Sequence, residues 1–320
     1  MKILVPLSEA KYLEQYIQAG ADEFYFGFYD EEWSGCFGIY ADINRMSGFA
    51  ERANPYSFKD VLRIVETVKN RGKKAYITMN ANGYSREQIE YIEKNYLPML
   101  SKAEVDGLIL SDINTIRSAV SFGITPIAST MCAIYNSDIA KMYYKLGIRR
   151  MILPRDLSLN EIEAICTQFP DVEFEAFFMR NGCIFSDCYC LGLHRPECGA
   201  VCTYTRYGVN RYIHDYTDFS DFHDVDVNDY IYRMFFHRDA CAMCALYRFK
   251  EIGITSLKIV GRADDYASVC KDIELTRKNL DIVERCMCEE EYLKAMEYPS
   301  NFPQKCRMGF SCYYPEVRFN

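Results

Sequence analysis

The feature that most constrains this chain is a local pattern repeated along it: a capping residue, an amphipathic run with helical spacing, a glycine, and a short β-rich run. It reads SEAKYLEQYIQAG then DEFYFG, SFKDVLRIVETVKNRG then KAYITMN, and SREQIEYIEKNYLPMLSKAEVDG then LILS. NTIRSAVSFG then TPIAST, SDIAKMYYKLG then RRMILP, SLNEIEAICTQFP then VEFEAFF, and ACAMCALYRFKEIG then SLKIVG continue it. Ser85 with Gln88 and Ser158 with Glu161 have capping-box spacing, and Gly20, Gly72, Gly123 and Gly147 stand where a helix ends in a left-handed residue. Counting 3–5 first, the predicted strands lie near 3–5, 23–27, 74–79, 107–110, 126–129, 150–153, 172–178 and 256–260. Eight strands alternating with helices predict a (β/α)8 TIM-like barrel. A doubly wound sheet is the rival that strand count alone does not separate from it.

Two connections are long, about 46 residues from Phe28 to Lys73 and about 77 from Met179 to Thr255. A connection of that length inside a compact domain is usually functional. We read 1–265 as the barrel domain, including the excursion 179–255, and 266–320 as a helix from Asp264 to about Cys286 followed by a Cys-containing tail. In such a barrel the chemistry gathers at the carboxyl ends of the strands. Asn80, Thr130, Arg155, Arg180 and Arg262 fall there and are expected to line a site for a small anionic or polar ligand, since guanidinium forks match carboxylate or phosphate. Lys258 lies inside the eighth strand, and pleat alternation alone does not say whether it points into the barrel or toward a helix.

The 320 residues carry 37 basic and 45 acidic side chains, a net charge of −8, which gives no electrostatic footprint for gripping a polyanion. Nucleic acid is therefore not an expected partner. A small-molecule substrate is, together with a protein partner of the same family. No export signal or membrane span is visible, and we expect a cytoplasmic protein.

Cysteine is the compositional anomaly, at 15 residues. Disulfide scaffolds belong to short secreted chains, so reduced thiols are expected, some of them metal ligands. Seven lie in the excursion: Cys183, Cys188, Cys190, Cys198, Cys202, Cys241 and Cys244. Thiolates at this density select zinc or an iron–sulfur cluster. Zinc would pair Cys198-x3-Cys202 with Cys241-x2-Cys244, whereas a cluster would draw on dispersed thiols, Cys183 and Cys190 with one from each later pair. Spacing does not separate the two. Cys132, Cys166 and Cys270 sit in helical or strand-like patterns and read as buried thiols acting as small apolar groups. The histidines His194, His214, His223 and His237 lack paired spacing and receive no role.

At this point the chain resembles the collagenase-like peptidase family, U32. AGADEFYFGF, ERANPYSFKDVLRIVETVKNRGKKAYITMN, VDGLILSDI and PIASTMCAIYNSDIAKMYYKLGIRRMILPRDLSLNEI look like the family's barrel half. VEFEAFFMRNGCIFSDCYC resembles its signature segment, PECGAVC its Glu-Cys segment, and RDACAMCALYRFKEIGITSLKIVGRADDY the stretch that ends it. The resemblance implies a 4Fe-4S cluster on Cys183, Cys190, Cys198 and Cys241. Where the family usually has Gly-x-Cys before the second ligand, this chain has Cys188-Tyr189-Cys190, so Cys188 competes with Cys190. The tail cysteines Cys306 and Cys312 either add ligands or are plain thiols. Family members support oxygen-independent hydroxylation of ubiquinone precursors or of tRNA and rRNA bases. The leading expectation is an iron–sulfur hydroxylase, or a component of one, acting on a small or lipid-derived substrate. The alternatives are a U32-type peptidase and a non-catalytic scaffold whose zinc or iron–sulfur site is structural.

Overall fold

The structure is a computed structural model that describes residues 1–48, 53–180, 182, 186–189, 240–262, 264–299 and 312–319. Eight parallel strands form it: β1 (Lys2–Pro6), β2 (Glu23–Phe26), β3 (Lys74–Met79), β4 (Gly107–Leu110), β5 (Pro126–Ala128), β6 (Arg150–Ile152), β7 (Glu173–Met179) and β8 (Ser256–Ile259). Each pairs with its sequence neighbours and β8 returns to β1, so the sheet closes into a barrel. The doubly wound alternative is thereby excluded. The eight predicted strands and the eight observed ones coincide to within one or two residues.

Local sequence explains where the elements stop. Both predicted capping boxes are made, Ser85 with Gln88 and Ser158 with Glu161, at the starts of helices Arg86–Tyr91 and Leu159–Cys166. The four predicted stop glycines all take positive φ, between 66° and 113°. Helix Tyr266–Val283 is capped by Asp265 and follows β8 directly. It takes the place of the eighth barrel helix: Arg277 reaches from it to the Gly20 carbonyl (2.5 Å) and to Asp22 (2.6 Å), and Asp22 in turn accepts the Ile3 amide. The helix predicted at the start of the 266–320 unit thus covers the first and last strands. No helix among the described residues is long and apolar enough to cross a membrane.

Strand residues alternate between the helical layer and the barrel interior. Phe24, Ala75, Ile77 and Leu257 face the helices and are buried. Their neighbours in sequence face inward, and several are charged. Arg150 forms a fork with Glu23 (Nη2 to Oε2 2.6 Å, Nη1 to Oε1 3.1 Å), meets Glu175 at 3.1 Å and donates to the Tyr76 hydroxyl at 2.8 Å. Lys258 points inward as well, donating to Glu175 at 2.6 Å with its ammonium 4.0 Å from the Tyr25 ring centroid. Ser256 completes the Glu23 shell at 3.2 Å. Two cations and two carboxylates therefore balance inside the barrel, each almost wholly shielded from water.

Burial by itself would raise the Glu23 pKa, but the hydrogen bonds and charge of Arg150, joined by Lys2, outweigh it and hold the carboxyl below its usual value. Its contribution to stability is complete above the ordinary glutamate range and is lost only as pH falls through the depressed folded value. Arg150→Ala should lower the unfolding free energy by about 3–5 kcal/mol near neutral pH, because two buried carboxylates lose their shared cation. Without Arg150, Glu23 loses the main group that depresses its pKa, so protonation relieves the uncompensated charge. The deficit should therefore shrink towards about pH 4. Denaturant unfolding at both pH values checks this, and a deficit independent of pH would contradict it.

Candidate functional site at the carboxyl end of the barrel

The loops that follow β2, β3, β5, β6 and β8 converge at one end of the barrel. Those after β2, β5 and β6 meet at Asp187, which has no exposed surface. Its carboxylate receives Arg155 in a two-pronged contact (Nε to Oδ2 2.8 Å, Nη2 to Oδ1 3.1 Å), the Thr130 hydroxyl at 3.0 Å, and the guanidinium of Arg45. Burial opposes ionisation here, but Arg155 and Arg45 overwhelm it and hold the acid far below the usual aspartate range. Arg155 is itself fixed, its guanidinium lying 4.2 Å from the Phe177 ring centroid. Asn80 belongs to the same group: its amide donates to Ser129 at 2.9 Å and accepts the Arg45 backbone N–H at 3.3 Å.

Arg262 sits beside this group in a different kind of environment. Its Nη1 donates to the Thr78 hydroxyl (3.0 Å) and to the side-chain oxygens of Asn44 and Asn54 (both 3.3 Å). Asn44 also donates to Asn54 at 2.9 Å, and Asn54 to the Met46 carbonyl at 2.9 Å, so the two amides brace each other. Gly27 makes the cradle possible: a Cβ there would lie 2.1 Å from Asn54 Oδ1 and 2.7 Å from Arg262 Nη1. Among the described residues the Arg262 guanidinium is hydrogen-bonded only to neutral oxygens. Burial, together with the charge of Arg45, pulls its pKa down to about 10, which leaves it a cation at neutral pH that would gain from a nearby anion. Among the described residues, the guanidiniums of Arg45 and Arg155 share the Asp187 carboxylate while that of Arg262 meets neutral oxygens.

Of the five residues predicted to share a ligand site, Asn80, Thr130 and Arg155 come together and Arg262 adjoins them through the Asn44–Arg45 loop. Arg180 does not join them. Its guanidinium is bound to Asp272 on helix Tyr266–Val283 and to Asp264 at 3.5 Å, so it serves the helical layer. The cause is backbone geometry: Arg180 takes φ +66°, a left-handed conformation at the end of β7, while its N–H binds the Ala240 carbonyl and its own carbonyl accepts the Tyr313 hydroxyl. Arg45, Asn44, Asn54, Gly27 and Asp187 were not singled out from sequence, although the long connection after β2 that contains the first three and the Cys183–Cys190 step that contains the last were.

Cys183, Cys190, Cys198 and Cys202 lie outside the described residues, as do all four histidines and Cys306. Cys241 is buried at the rim and forms a β-bridge with Met179, the last residue of β7, and a second bridge with Cys312 of the tail. The Met243 N–H points at its sulfur at 3.3 Å. Cys241 is thus a sulfur at the rim, at the same end of the barrel as Arg155, of a type that can ligate a soft metal. Cys188 has other partners: its sulfur lies 3.1 Å from the Ser186 hydroxyl and 3.8 Å from that of Tyr135. Cys132 and Cys166 are buried thiols as expected, pushed up to about 12 by burial, while Cys270 is only half-buried.

Comparison with known proteins agrees with the sequence pattern. The profile of Peptidase family U32 matches residues 8–319. Over 93% of its length the chain is 26% identical to an uncharacterised protease of Methanocaldococcus jannaschii, of which it covers 68%. It is 24% identical to tRNA hydroxylation protein P1 of Bacillus subtilis, across 79% of this chain and 61% of that one. Over 49% of the chain it is 30% identical to tRNA hydroxylation protein P of Escherichia coli, spanning about a third of that relative's length. With the family pattern running from the first barrel helix into the C-terminal tail, this chain is a member of peptidase family U32.

Proposed function

We propose that this chain is an iron–sulfur protein of oxygen-independent hydroxylation, or a component of such a system, acting on a small anionic substrate at the carboxyl end of the barrel. The relatives named as tRNA hydroxylation proteins support the reaction class. Their RNA substrates are not carried over to this chain, whose net charge of −8 gives no overall attraction to a polyanion. The observation that carries the reading is the charge imbalance at the mouth. Arg155 and Arg45 share the carboxylate of Asp187, whereas Arg262 is held among neutral oxygens.

A 4Fe-4S cluster on Cys183, Cys190, Cys198 and Cys241 would supply one-electron chemistry at the same rim. The protein's own groups do the rest. Arg262 takes the substrate anion, Asn44 and Asn54 keep its guanidinium in one orientation, and Thr78 prevents it from swinging along the barrel axis. Lys258 and Glu175 pair with each other inside the barrel, so the Lys258 ammonium is already matched by a carboxylate.

Anaerobically purified protein should be brown, with absorbance near about 400 nm and about four irons per chain; stoichiometric zinc without iron would overturn the cluster. Cys183→Ala, Cys190→Ala, Cys198→Ala and Cys241→Ala should each lose it. Cys188→Ala should keep it, because the Cys188 sulfur is taken up by Ser186 and Tyr135. The double Cys202→Ser, Cys244→Ser variant should also retain full iron, and loss of all metal would favour the zinc pairing.

Arg262→Gln should weaken binding of a small dicarboxylate probe, malonate, by about tenfold or more while leaving iron content intact, since a charged contact is lost and no thiol is touched. Gly27→Ala should reproduce that loss by forcing the Asn54 and Arg262 side chains apart. Titration calorimetry reads both, and unchanged affinity in Arg262→Gln would remove the mouth from the substrate path.

A further inference from the structure

Asp187 has a place in the sequence as telling as its place in the fold: it lies midway between Cys183 and Cys190. Both of its oxygens are occupied by side chains from three separate strand-end loops, Arg45 after β2, Thr130 after β5 and Arg155 after β6. Its neighbours are fastened too. The Ser186 hydroxyl meets that of Tyr135, and Tyr135 donates to Asp156 at 3.0 Å. Cys188 shares the same hydroxyls. Arg155 is held against Phe177 of β7, so the fork that grips Asp187 is itself immobilised by the barrel wall.

We propose that Asp187 is a positioning residue: Arg155, Arg45 and Thr130 capture its carboxylate and so pin residues 186–189, which lie between Cys183 and Cys190 in the sequence, to the mouth of the barrel. The proposal rests on the cluster reading for what the thiols hold, but the pin itself does not require metal. A carboxylate is needed for the task. Two guanidiniums converge on one buried point and would repel each other around a neutral group, whereas around an anion they close into a clamp. Among the described residues Arg262 takes no share in that carboxylate and is bonded to neutral oxygens instead.

The test compares the full chain with its Asp187→Ala and Asp187→Asn variants, in two arms. In the first, without metal, amide hydrogen exchange at residues 186–189 should speed up by about tenfold or more, with β3 and β4 protected as before. Millimolar formate, a carboxylate small enough to fill the gap, should restore protection in Asp187→Ala and have no effect in Arg155→Ala. In the second arm, iron uptake under anaerobic reconstitution should fall in both variants, and formate should recover it together with the visible spectrum in Asp187→Ala. Unchanged exchange at 186–189 would overturn the pin, and full iron content in a variant that has lost that protection would overturn its role in positioning the cluster's thiols. If the unaltered chain takes up no iron, the cluster reading fails, while the exchange arm still decides the pin. Asp187→Asn, which keeps the side chain's shape, guards against general unfolding, and exchange in β3 and β4 reports it.

Discussion

Everything at the mouth depends on the barrel being closed, and its closure depends on how Arg150 is accommodated. A guanidinium in the middle of a barrel is costly to desolvate unless its partners are already in place. Here they come from β2, β3 and β7, so the strands that supply Glu23, Tyr76 and Glu175 are tied to β6 across the interior rather than only along the sheet. Lys258 adds β8 through Glu175. The arrangement gives the interior a directional core, in which each strand has one register that matches charge to charge. A slip of one residue would move these groups into the helical layer.

Above that core the polar residues are sorted by charge. Asp187 neutralises much of the positive potential of Arg45 and Arg155, and the amides of Asn44 and Asn54 hold Arg262 without neutralising it. The distinction matters because a paired arginine offers an anion little, while one in a neutral cradle retains its full field. Gly27 is the steric condition for the cradle, since any side chain at that point would occupy the space of the Asn54 oxygen.

The fold was legible in the sequence because its signals are local. Ser85, Ser158 and the stop glycines act on their own helix ends, and each behaves in the structure as its position suggests. The site was legible only in part. Strand-end position found Asn80, Thr130, Arg155 and Arg262, but it put Arg180 with them, because sequence does not disclose that the backbone turns left-handed there and sends the side chain toward Asp272. Asn44 and Asn54 were missed because their partner Arg262 is more than two hundred residues away, and nothing near an asparagine in a long connection marks it as a brace. The interior charges left a fainter sign. Glu23, Arg150, Glu175 and Lys258 each stand within a run that a parallel barrel would ordinarily fill with aliphatic residues.

The bridge between Met179 and Cys241 has a consequence for how proteins of this design can diversify. The chain departs from the barrel at Met179 and is back beside it at Cys241, so the two ends of the intervening sequence are neighbours across one β-bridge. Barrel geometry is then indifferent to how many residues lie between them, since lengthening a connection whose ends already meet adds only a slowly growing closure entropy. A change of length between the two ends, outside the anchored residues Arg180 and Asp187, would therefore leave the eight strands as they are.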